Sequence, residues 1–225
     1  GNEFSLSEDL YDIFKLAFDV SKKTNGVYDI TVGSVVNNLG FGPNLFLDNQ
    51  YVFEPYSLKF SINDTNKSIT KYKDLVFDLS SIAKGFAVDS VSKILLAAGK
   101  NNFLIDIGGE VIISGSKHNQ PWIIGIQDPT SVKNSSMINI FGNNFLAVAT
   151  SGEYRNFKYN DDGEMTSHTF NPISKTSIPD KTYSVSVVSR VSSMEADALA
   201  TALNVMGPVK GIEFANEKDL SVMYI

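Results

Sequence analysis

Apolar positions recur at helical spacing in three stretches of the chain. The first follows Ser7: Glu8 and Asp9 fall in the opening turn, Leu10, Ile13, Phe14, Ala17 and Val20 form one stripe, and Lys22 and Lys23 precede Gly26. A hydroxyl cap, acids at the start, bases at the end and a glycine beyond together predict a complete helix. The second stretch begins near Ser80 and runs to Gly99, with Ile82, Val91, Ile94, Leu95 and Ala98 as its apolar positions and Gly99 where a left-handed C-terminal residue is expected. The third opens at Ser192 or Ser193 and runs through Met206, ended by Gly207 and Pro208, and a short fourth helix follows. Elsewhere the pattern shortens to strand-length runs: FLIDI, EVIIS, WIIGIQ, MINIF, FLAVAT, SHTF, YSVSVVS and the closing LSVMYI, separated by Gly, Asn and Pro turns. Residues 50–73 predict hairpin strands broken at Asn63-Asp64, and the Asn-, Gly- and Pro-rich stretch after the first helix through Pro43 predicts a loop. Strands in runs with helices at the two ends predict an α+β fold rather than a doubly wound sheet. With no internal repeat, heptad pattern or obvious linker, residues 1–225 are expected to form one catalytic unit.

Composition narrows the partners more than the fold. Hydrophobic residues make up 43% and charged residues 20%, with no apolar stretch long enough for a membrane span. A formal charge of -6 without any Lys/Arg cluster argues against nucleic acid as a partner. The absence of cysteine removes disulfides, thiolate metal sites and thiol nucleophiles from consideration. The first residues, GNEFSLSEDLYDIF, show no basic region followed by an apolar run. Because residue 1 is Gly rather than Met, the natural N-terminus, with any export signal or lipid anchor, is expected to have preceded it.

Several segments are suited to binding a metal or an anion. In EADALATAL, Asp197 and Thr201 lie four residues apart, so their oxygens project from one helical face. A carboxylate and a hydroxyl suit a hard cation such as Mg²⁺, which keeps waters or substrate oxygens for the rest of its shell. The same two residues are also explained by an Asp near a helix start and a Thr bonding back to its own helix. The segment FDLSSIAKGFAVD passes from a strand into a helix, where free N–H groups favour anions and Lys84 adds a cation, although a plain helix cap accounts for it too. IDIGGEV offers two glycines for a tight turn or for a close approach of backbone to ligand. ATSGEYRNF places Tyr154 and Arg155 after a strand, and His168 lies in a strand, where a structural role is the ordinary one. Asp29, in GVYDITVG, is equally suited to a turn.

Taken together and in order, these segments resemble the ApbE family of FAD:protein FMN transferases. YDITVG and NLGFGP resemble its FDPTVG and WGFGP elements, and DLSSIAKGFAVD resembles DLGGIAKGYAVD. IDIGGEVIISG with PWIIGIQDP is similar to its GGD strand and PWxVGIxDP. ATSGEYRNF, SHTFNPIS and MEADALATALNVMG are similar to TSGDYRNY, SHIIDPRTG and MTADALATALFVMG. The similarity runs from about Ser7 to the C-terminus.

The resemblance implies a T-fold-like α+β structure with mixed or antiparallel sheets, FAD as substrate, and Mg²⁺ held by Asp197, Thr201 and the backbone carbonyl of Ser81. It carries FAD contacts to Val27, Tyr28, Asp29, Asp78, Lys84 and Thr169, and makes His168 the candidate general base. The implied reaction moves FMN from FAD onto a Thr or Ser of an acceptor and releases AMP; the alternatives are FAD hydrolysis to FMN and AMP, or FAD binding without turnover. Implied acceptors are FMN-binding domains of Rnf-type or sodium-pumping NADH:quinone reductase subunits, met outside the cytoplasmic membrane by a lipid-anchored enzyme. The family's N-terminal portion has no counterpart here, and the segment between GFGP and DLSS is short. Asn171 and Glu110 stand where the family has Asp, Lys175 where it has Gly, and Ser81 where it has Gly or Ala.

Overall fold

The computed structural model of the chain describes residues 1–43, 53–128, 136–152, 157–159, 165–167, 169–177 and 184–225. In chain order the helices are α1 (Glu8–Lys23), α2 (Gly33–Asn38), α3 (Tyr56–Lys59), α4 (Ser80–Ala97) and α5 (Ser193–Glu217). The strands are β1 (Asn2–Ser5), β2 (Phe60–Asn63), β3 (Ser68–Lys71), β4 (Phe103–Ile107), β5 (Glu110–Ser114), β6 (Trp122–Gln127) and β7 (Ser136–Gly142). They continue as β8 (Leu146–Ser151), β9 (Phe157–Tyr159), β10 (Met165–Ser167), β11 (Phe170–Asn171), β12 (Thr176–Ser177), β13 (Val185–Ser189) and β14 (Ser221–Tyr224). The α+β class expected from the pattern is what forms. The chain folds as two compact units, Gly1–Ser81 with Phe157–Pro179, and Ile82–Asn156 with Asp180–Ile225.

In the first unit β1, β3 and β2 form an antiparallel sheet in that order. Helix α1 is capped as the sequence predicts, with Ser7 Oγ accepting from the Leu10 amide at 3.2 Å. Ile13, Phe14, Ala17 and Val20 are buried, whereas Leu10 is exposed because it lies at the open first turn. Phe14 packs edge-on against Phe60 and Phe77, and Phe60 also meets Tyr56, giving the unit an aromatic core. Two expectations change here. The stretch before Pro43 contains a 3₁₀ turn at Ile30–Val32 and the helix α2, because Asp29 caps the turn through its carboxylate and Ile30 and Val36 have a core to enter. Within residues 50–73, the described part before β2 is the helical turn α3 starting after Pro55, and the hairpin is confined to β2 and β3.

In the second unit β14-β13-β8-β5-β4 form one antiparallel sheet, and β6 and β7 pair as a separate hairpin. EVIIS and LAVATS are apolar without alternation because both faces of β5 and β8 are covered. Val111, Ile113, Leu146 and Val148 meet Ile124 and Ile126 of the hairpin on one side, while Ile112 and Ala147 cluster with Val88, Phe103 and Ile105 on the other. Helix α4 therefore buries Ile82, Gly85, Val88 and Ser92, and the expected stripe at Val91, Ile94 and Ala98 faces outward. Helix α5 lies against β8 and β13, its run of buried alanines allowing close approach. As the sequence predicts, Gly207 breaks it, with φ 75° and ψ 171°.

Candidate functional site

Within the first unit the fold gathers the segments that hold Val27, Tyr28, Asp29, Asp78 and Ser81. The Asp78 amide donates to the Ile30 carbonyl at 2.7 Å, and the hydroxyls of Tyr28 and Ser81 are 3.0 Å apart. Asp78 Oδ1 accepts from the Ser80 amide, closing the turn that feeds α4. Tyr28 and Asp29 are buried and Val27 is partly so. Asp29 Oδ1 accepts from the amide and hydroxyl of Thr31, and its Oδ2 accepts from Lys59 Nζ at 2.7 Å with both side chains almost wholly excluded from water. The Asp29 carboxylate is thus committed to a buried ion pair. Thr169 is buried just before β11, and Asn171 caps its own turn, accepting from the amides of Ile173 and Ser174. His168, Tyr154 and Arg155 lie outside the described residues.

Within the second unit a charged cluster forms where α4, α5 and the β4–β5 turn meet. Asp197 is buried on α5, one turn before the partly buried Thr201. Its Oδ2 accepts from the Gly85 amide at 2.9 Å, and its Oδ1 is 3.8 Å from Lys84 Nζ. Close packing of α4 on α5 requires Gly85: a Cβ there would lie 2.5 Å from the Ser193 carbonyl oxygen and 2.8 Å from Asp197 Cβ. The same Lys84 ammonium contacts Glu110 Oε1 at 2.6 Å. Glu110 is 1% exposed, and its Oε2 has no hydrogen-bond partner among the described residues. The glycine pair makes a tight turn, with Gly108 at φ 62° and Gly109 at φ 98°, and the Gly109 amide donates to Asp106.

Two buried carboxylates therefore share one half-exposed ammonium. Burial is the main cause that pushes the Asp197 carboxyl up from 3.8 to about 7, opposed by Lys84 and reinforced by Glu110. Burial likewise raises Glu110, against the pull of Lys84. This local shortage of positive charge, together with the hard oxygen donors at Asp197 and Thr201, fits a divalent cation.

Asp89 also shapes the cluster, although sequence reasoning assigns it no role beyond membership of a motif. Its carboxylate accepts from the Ser192 hydroxyl and from the Ser193 and Met194 amides at 2.8–2.9 Å, capping α5 from outside that helix. Lys59, Asp89 and Glu110 each act through partners distant in the chain, so no spacing announces them. Glu110 alone carried a signal, a charged residue heading an otherwise apolar strand.

Comparison with known proteins places the sequence and fold within one family. The FAD:protein FMN transferase of Vibrio cholerae serotype O1 (strain ATCC 39541 / Classical Ogawa 395 / O395) is 36% identical over 99% of this chain and 68% of its own length. That of Haemophilus influenzae (strain ATCC 51907 / DSM 11121 / KW20 / Rd) is 34% identical over 98% of this chain and 66% of its own. The chain thus spans about two thirds of these curated relatives. Among solved structures, the flavin transferase ApbE from Vibrio cholerae superposes with a TM-score of 0.80 at 32% identity, covering 100% of this chain and 73% of that one. The ApbE protein from Thermotoga maritima gives 0.83 at 26% identity, covering 100% and 75%. The sequence model of the ApbE family matches residues 1–224. On the match of family model, relatives and fold, the chain belongs to the ApbE family.

Proposed function

We propose that the chain is a Mg²⁺-dependent transferase that moves FMN from FAD onto a Thr or Ser hydroxyl of an acceptor flavoprotein, releasing AMP. The observation that carries this reading is the buried Asp197, under-compensated by a shared Lys84 and followed one turn later by Thr201, in a chain of this family. Asp197 and Thr201 would hold the cation, which would neutralise charge on the FAD diphosphate. No helix among the described residues is long and apolar enough to cross a membrane.

The chain's own groups have complementary tasks. Lys84, half-exposed at the edge of the cluster, supplies a mobile positive charge to the phosphates. His168 accepts the proton of the acceptor hydroxyl as its oxygen bonds to the FMN-side phosphorus and the bond to the AMP oxygen breaks. For His168, for the Ser81 carbonyl, and for flavin contacts at Val27, Tyr28, Asp29, Asp78 and Thr169, support comes from the resemblance of their motifs. The same resemblance supports acceptors of the Rnf or sodium-pumping NADH:quinone reductase kind and a lipid-anchored setting outside the cytoplasmic membrane.

The test mixes the chain with FAD, Mg²⁺ and an unmodified acceptor domain carrying the threonine to be flavinylated, and reads the acceptor's intact mass. Addition of FMN is expected, with loss of the adduct in Asp197→Asn and His168→Ala and retained FAD affinity in the latter. Free FMN formed equally with and without acceptor, and no adduct, would replace transfer by hydrolysis. FAD binding without either product would leave a flavin-binding protein.

A further inference from the structure

Asp197 has one oxygen engaged by the Gly85 amide, and the other faces Lys84 at 3.8 Å. That second oxygen is therefore the one a cation would take, and an ammonium on a flexible stem stands within reach of it. Left to itself, a lysine at that distance from a buried carboxylate would close to direct contact, because Coulomb attraction strengthens steeply away from bulk water. The structure shows a different outcome: Lys84 Nζ lies 2.6 Å from Glu110 Oε1. Glu110 is fixed at the head of β5, nearly wholly buried, and the tight turn before it brings Gly108 beside the Lys84 stem, where a Cβ would lie 3.4 Å from Lys84 Cδ.

We propose that Glu110 is a positioning residue that draws the Lys84 ammonium away from Asp197, keeping the outer Asp197 oxygen open to a divalent cation and the ammonium poised for the ligand's phosphates. The proposal rests on the reading of Asp197 as a cation ligand. It assigns to Glu110 a task that needs its full negative charge and its reach, without contact to the metal. A Glu110 that merely added negative field, or ligated the ion itself, would weaken metal binding on substitution whether or not Lys84 were present. A Glu110 that restrains Lys84 matters only while Lys84 is there.

A double-mutant cycle on the full chain separates these cases, with Mn²⁺ alone as the probe and its bound fraction read by electron paramagnetic resonance. Glu110→Gln is expected to weaken Mn²⁺ binding about tenfold in the Lys84 background and less than about twofold in the Lys84→Met background. A ratio between backgrounds below about threefold overturns the proposal, whether both lose affinity or neither does. Should Glu110→Gln fail to fold by circular dichroism, Glu110→Asp, which keeps the charge but shortens the reach, is read in the same two backgrounds against the same threefold threshold, taken as an order-of-magnitude limit. Asp197→Asn runs in parallel. If it binds Mn²⁺ as the unaltered chain does, the cation reading falls and this proposal with it; if it loses Mn²⁺ while the two backgrounds agree, only the role of Glu110 falls.

Discussion

Replacing Asp197 by Asn should make the metal-free protein more stable at neutral and alkaline pH while removing its response to Mg²⁺. Asn keeps the shape and can still accept from the Gly85 amide, so the change isolates ionisation. Burial moves the Asp197 carboxyl from 3.8 to about 7 in the folded chain. The folded state thus holds this proton more tightly than the unfolded one, and the associated stability is fully present below about pH 4 and lost as pH rises through about 7. Ionising the group in place costs about 4 kcal/mol by linkage, an upper bound because water and Lys84 adjust around the charge. Urea denaturation in EDTA at pH 5 and pH 8 measures it: the stability of Asp197→Asn minus that of the unaltered chain should grow by about 1–3 kcal/mol between these points. At pH 8, Mg²⁺ should then stabilise the unaltered chain and have no effect on the variant, since only a binding-competent fold gains from ligand. Parallel curves for the two proteins in EDTA would refute the claim that Asp197 is buried with too little positive charge around it.

Two further outcomes follow from packing and pairing. Lys59→Met removes the ion-pair partner of the buried Asp29 carboxylate, which should destabilise the first unit by about 3–5 kcal/mol; urea denaturation reads it, and adding Asp29→Asn should restore most of the loss. Gly85→Ala drives a methyl into the Ser193 carbonyl and the Asp197 side chain, so it should reduce stability by about 1–3 kcal/mol and weaken Mn²⁺ binding together; an unchanged melting temperature and unchanged Mn²⁺ affinity would show that α4 and α5 separate at little cost.

How much was legible in the sequence depended on the range of the interaction concerned. The α1 cap at Ser7, the break at Gly207 and the strands between Phe103 and Thr150 are legible in the sequence, because each follows from neighbours a few residues apart. The pairing of Asp197 with Thr201 on one face needed only the helical period. Periodicity could not say which apolar face of α4 would be covered: Val91 and Ile94 are exposed because the sheet meets the side carrying Ile82, Gly85 and Val88. Nor could it foresee the 3₁₀ turn and α2 after Asp29, whose stability depends on a core assembled from the rest of the unit.

By itself, then, the sequence determined the α+β class, the family motifs and the residue types able to hold a cation and an anion. Tertiary structure alone decided their charge states and partners. Lys59 closes on Asp29 across 30 residues, Asp89 caps a helix that starts more than a hundred residues later, and Gly85 donates to Asp197 across 112. Lys84 is set between Glu110 and Asp197 by the same packing. Desolvation and Coulomb attraction act through space, so the surroundings that push Asp197 up to about 7 exist only once the sheet and both helices have closed around it.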